Sequence, residues 1–154
     1  MAVSALRWFK AALFLQVLLL GYWLAIEILD LFPWNDLASR PADYDLRASI
    51  VLNALQMLVY MGLFALGVRW LATLSVVGYA AYLGVQLWTW WMPYSVGASA
   101  DWRASYAASF ARTLKVLPAD RLHPAPDAQH LMLQLLTLAT LIATGMAVAR
   151  MRYL

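Results

Sequence analysis

The sequence has no cysteine, only two histidines and few charges, with Asp, Glu, Lys and Arg making up 12% of its 154 residues. Without thiols there can be no disulfides, no thiol redox chemistry, no iron–sulfur cluster and no cysteine-bound zinc. The histidines, His123 and His130, lie seven residues apart, one of them in a proline-rich stretch. Haem ligation by one histidine from each of two helices is therefore not expected. No lysine lies in the middle of a hydrophobic run, so a retinal-type Schiff base has no attachment point. The His-Glu-x-x-His, Gly-x-Ser-x-Gly and phosphate-cradling glycine signatures are missing. The net charge of +3 is small, and no basic patch interleaved with aromatics points to nucleic acid.

Apolar residues are what the chain has in abundance: 64% are hydrophobic. Soluble domains are close to half apolar and about a quarter charged. Disordered chains are poorer in hydrophobics still. The composition implies a small polytopic membrane protein with one domain over residues 1–154.

A bilayer core takes roughly 20 apolar residues per helix. Charge-poor runs place four spans at about 11–32, 48–69, 71–92 and 129–149. Pro93 and Gly97 mark the exit of the third near Met92. Arg7 and Lys10 before an apolar run resemble a signal peptide, yet Leu24-Ala25-Ile26-Glu27 offers no small-x-small cleavage site. An uncleaved first helix is expected. The fold class is an all-α four-helix transmembrane bundle.

Arg7, Lys10, Arg69, Arg150 and Arg152 fall on one side of the spans with no acid, while all eight acids fall on the other. Positive-inside counting over short segments places both termini in the cytoplasm of a plasma (inner) membrane, with connections 33–47 and 93–128 outside. Four of the six outer basic residues sit in the long 93–128 connection, where charge carries less weight. Trp8 and Trp70 mark one interface, and Trp34, Trp88, Trp90, Trp91 and Trp102 the other, as an aromatic belt or an aromatic ligand cage.

Within the second connection, Asp101 can cap a helix from Trp102 to Leu117 that stops at Pro118. Trp102, Tyr106, Phe110, Thr113 and Leu117 share one side of it, while Arg112 and Lys115 point elsewhere. Such a helix either lies in the outer interface or lids the bundle.

Each span carries a polar stripe at about 100° per residue. The stripes are Gln16, Trp23, Glu27 and Asp30; Ser49, Asn53, Gln56 and Tyr60; Ser75, Tyr79, Tyr82, Gln86 and Trp90; and Asp127, His130, Gln134 and Thr137. They concentrate in the outer half. Polar groups in hydrocarbon must meet partners, so the stripes face one another, as interhelical glue or as a site. Ligand-binding candidates are Glu27, Asp30, Asn53, Gln56, Gln86, Trp90 and Gln134. Glu27 stands out, because an ionised carboxylate there calls for Arg47, another cation or a metal ion. Asp127 and His130, at i and i+3, together with His123 offer a mixed nitrogen–oxygen set for a divalent metal, though helix capping also explains Asp127. Glu27 and His130 are the candidates for general-base catalysis.

The leading reading is a non-catalytic, outward-facing polar cavity for a small cationic, metal or polar ligand. An outer-leaflet enzyme acting on a lipid-linked or amphipathic substrate is the alternative, and an accessory subunit of a larger membrane complex is the third. Homo-oligomerisation is compatible with all three. The small residues Ala80 and Gly84, and Ala139, Ala143 and Ala147, allow close helix approach within the chain or between copies.

Overall fold

The computed structural model describes residues 3–151, so Arg152 lies outside the described residues. Helix α1 spans Val3–Ile28, α2 Leu46–Ala65, α3 Arg69–Val96, α4 Ala100–Phe110 and α5 Ala128–Arg150. A single 3-10 turn, Leu37–Ser39, interrupts the first long connection. Among the described residues, α1, α2, α3 and α5 are long and apolar enough to cross a membrane.

Helix α5 packs between α1 and α3, and α2 closes the other side against the same two helices. Contacts between Tyr22 and Gln129, and between Gln16 and Thr144, run α1 and α5 antiparallel. Gln86 against Thr137 and Trp91 against Gln134 do the same for α3 and α5. Of the four long helices α5 is the most buried and α2 the least. The apolar side chains left outside include Phe14, Leu52 and Trp88, each about two-thirds exposed. Such a surface suits hydrocarbon and would be a large liability in water, at about 25 cal/mol per Å².

The core at the end near Val3 and Arg150 is apolar, with Phe64 fully buried among Ala12, Ala72, Ala143 and Ala147 and stacked on Phe9 at 4.9 Å. The small-residue row of α5 therefore packs within the chain, whereas Ala80 and Gly84 face outward. The intimate glycine contact is instead at Gly78, over which the Tyr60 ring lies.

Several boundaries differ from the sequence reading. Helix α1 ends at Ile28, not near residue 32, because Asn35 folds back onto it: its side-chain amide donates to the Ile26 and Leu29 carbonyls. Asp30 is thereby left in the connection and exposed. Helix α3 runs through Pro93 to Val96 and stops at Gly97, whose φ of 93° suits a residue without Cβ. Helix α4 is shorter and shifted, Ala100–Phe110 in place of 102–117. Its cap is Ser99, which accepts from the Trp102 N–H, rather than Asp101.

Candidate functional site

At the end opposite the termini, a cavity of about 260 Å³ opens among α1, α2, α4, α5 and the first connection. Two polar clusters line it.

The first is built on Glu27 in the last turn of α1. Its carboxylate is 12% exposed and accepts from the Tyr44 hydroxyl through Oε1, while the Arg40 guanidinium lies 3.4 Å from Oε2. Arg40 also donates to the Glu27 carbonyl at 3.1 Å and stacks over the Tyr44 ring at 4.5 Å. Among the described residues, the cation beside this carboxylate is Arg40 rather than Arg47. Burial first, and then the Glu27 carboxylate, raise the Tyr44 phenol above its ordinary range, which keeps it a donor.

The second cluster sits at the N-terminus of α5. Asp127 is wholly buried, and its Oδ1 caps the helix by accepting from the His130 N–H at 3.0 Å. The same oxygen receives His130 Nδ1 at 2.6 Å, and the Thr113 hydroxyl donates to Oδ2 at 2.8 Å. Burial pushes the Asp127 carboxyl upward, but the hydrogen bonds from His130 and Thr113 outweigh it and hold the group below its ordinary value. In the tautomer that donates Nδ1–H to Asp127, Nε2 is an acceptor. Nε2 has no hydrogen-bond partner among the described residues. The ring itself is fixed against Trp90 at 3.9 Å between centroids and Phe110 at 5.2 Å.

Aromatic packing closes the site. Trp102, Tyr106 and Phe110 of α4 all meet Trp90 edge-on, at 5.8, 6.3 and 5.2 Å. The apolar side of α4 thus faces protein. Below it the Asp36 carboxylate takes two hydrogen bonds from Arg112, at 2.7 and 2.8 Å, which ties the first connection to the second.

Of the residues proposed from sequence, Glu27 and His130 line this cavity, and Asp127 supports it from behind. Asp30 is exposed outside it. The amide residues do not line this cavity: Asn53 donates to the Ser49 carbonyl and Gln56 to the Tyr60 hydroxyl within α2, while Gln86 donates to Thr137 and Gln134 accepts from Trp91 between α3 and α5. Trp90 is a buried wall behind His130. His123 goes elsewhere and pairs with Asp120 at 3.1 Å. No group of three His, Asp or Glu side chains gathers as a metal set among the described residues.

Sequence reading did not single out Arg40, Tyr44, Asp36, Arg112 or Gln129 as site residues. The Glu27 requirement for a cation was a signal for Arg40; nothing local marked the Asp36–Arg112 pair, which is 76 residues apart. Gln129 lines the cavity, and its buried Oε1 has no hydrogen-bond partner. Compared with known proteins, the chain matches no family model, no curated protein and no solved structure.

Proposed function

We propose that the protein is an integral membrane protein that binds a small polar ligand in the cavity between Glu27 and His130. The observation that carries this reading is the buried Asp127–His130 pair, which orients an imidazole with an unpartnered Nε2 at a cavity wall. The cavity carboxylates already have cationic partners, Glu27 in Arg40 and Asp36 in Arg112. Recognition by hydrogen bonds fits this arrangement better than capture of a bare cation or metal ion. By the positive-inside bias, both termini face the cytoplasm and the cavity opens to the outer side of the plasma membrane.

The test is native mass spectrometry of the full chain, extracted from its host membrane in mild detergent. A bound small molecule present in the wild type and lost in His130→Gln supports the reading. A clean apo-mass, or an adduct indifferent to His130→Gln, overturns it, and a co-purifying protein redirects it to an accessory subunit.

The same pair favours a second reading, an outer-leaflet enzyme. A carboxylate holding Nδ1 leaves Nε2 set to take a proton. Enzyme activity predicts a new product when the protein is incubated with total lipid extract, abolished by His130→Gln with the helical content unchanged.

A further inference from the structure

Behind α4, away from the cavity, a groove of about 490 Å³ is lined by Arg103, Tyr106, Lys115, Asp120 and Arg121. None of its three cations forms a direct ion pair with a described residue, although Asp127 lies near enough to Lys115 to act on its charge. Arg103 donates to the Ala98 carbonyl at 2.6 Å. Lys115 is half-buried, and its ammonium donates only to neutral oxygens, the Phe110 and Thr113 carbonyls and the Thr113 hydroxyl. Arg121 has neither a hydrogen bond nor an ion pair with a described residue. The one acid in the groove, Asp120, is occupied by the Leu122 and His123 N–H groups and the His123 ring.

This is more than a solvated basic face. A surface lysine keeps its ammonium in water, whereas Lys115 folds inward across the Tyr106 ring at 5.3 Å and lies half-buried, with the Asp127 carboxylate reaching it only through the shared Thr113 hydroxyl and no direct ion pair. Burial accordingly lowers its affinity for a proton. The lining also includes Ala107, Ala111 and Pro124, so the groove is charged at one part and apolar at another. A membrane offers one abundant ligand of that kind at this level. We propose that the groove binds the phosphate of an anionic phospholipid headgroup, with Arg103, Lys115 and Arg121 as its charge partners. The inference is independent of what occupies the cavity by His130.

The test is native mass spectrometry of the purified full chain in mild detergent, titrated in parallel with phosphatidylglycerol, phosphatidylcholine and inorganic phosphate. Phosphatidylglycerol is expected to be retained preferentially. Removing one cation near a headgroup layer costs about fivefold in affinity, so Arg103→Gln/Lys115→Gln/Arg121→Gln loses about a hundredfold. Arg121→Gln alone breaks no contact within the protein and separates lost binding from misfolding. Arg7→Gln/Lys10→Gln, at the other end of the bundle, leaves retention unchanged. Equal retention of the two lipids, or retention of phosphatidylglycerol by the triple variant, overturns the proposal. Displacement of the lipid by millimolar inorganic phosphate also overturns it, in favour of a soluble phosphate.

Discussion

Arg112 and Asp36 form a two-point ion pair, Nε to Oδ2 at 2.7 Å and Nη2 to Oδ1 at 2.8 Å, that clasps the two long connections over the candidate cavity. The Asp36 side chain is 2% exposed in this pair, and Ser39 donates to it as well. The geometry makes the pair sensitive to acid. Hydrogen bonds from Arg112, then from Ser39, lower the Asp36 carboxyl to about 2. A carboxyl whose folded value lies below its unfolded value of about 3.9 adds stability above that pH. The contribution fades as pH falls from about 4 to about 2. Thermal unfolding in detergent should therefore show Asp36→Asn less stable than wild type at pH 7, with the difference shrinking at pH 2.5. A gap that is constant with pH would mean the pair does not hold the connections together.

Helix packing gives a second prediction. A Cβ built on Gly78 would overlap the Tyr60 ring, whose hydroxyl also accepts the Gln56 hydrogen bond. Gly78→Ala must push that ring aside and is expected to destabilise by about 1–3 kcal/mol. Gly84→Ala, on the outward face with nothing within 4 Å of the new methyl, should unfold like wild type or slightly later. The two variants unfolding alike would place the α2–α3 contact elsewhere.

The four spans were legible in the sequence because a bilayer demands long uncharged runs, and such runs need no knowledge of partners. The Glu27 requirement was legible for the same reason. Its answer, Arg40, was not, since it depends on how the 33–47 connection folds back over the end of α1. Periodicity placed Trp102, Tyr106 and Phe110 on one face of α4 and then carried the helix too far. The chain turns away at Phe110 because tertiary bonds outweigh the helical pattern: Thr113 bonds to Asp127, and the Leu114 N–H donates to the Pro33 carbonyl at 2.7 Å. The amides Gln86 and Gln134 were correctly expected to seek partners, but sequence could not say whether these would be each other's helices or a ligand.

Topology can be read directly because the chain has no cysteine. Ser105 lies exposed on α4 and makes no side-chain hydrogen bond, so Ser105→Cys supplies a single thiol without disturbing a cap. With both termini cytoplasmic, a membrane-impermeant maleimide should label this variant in intact cells. Labelling only after the cells are opened would invert the orientation and turn the cavity towards the cytoplasm.

The role of Asp127 divides into a cap and an orienting charge, and two substitutions separate them. Asp127→Ala removes the acceptor for the His130 N–H, the His130 ring and the Thr113 hydroxyl together, in a fully buried place. Its expected cost is about 2 kcal/mol or more. Asparagine is as good a cap as aspartate, so Asp127→Asn should keep most of that stability. It removes the negative charge, however, so the oxygen that caps the helix holds the Nδ1–H less strongly. Nitrogen-15 spectra of the imidazole report the difference. In the wild type, the neutral ring should carry its proton on Nδ1, with Nε2 bare towards the cavity. In Asp127→Asn that preference should weaken while the fold persists, and any ligand held through Nε2 should weaken with it. A wild-type ring protonated on Nε2 instead would leave the cavity facing a donor, and both the binding and general-base readings of His130 would have to be abandoned.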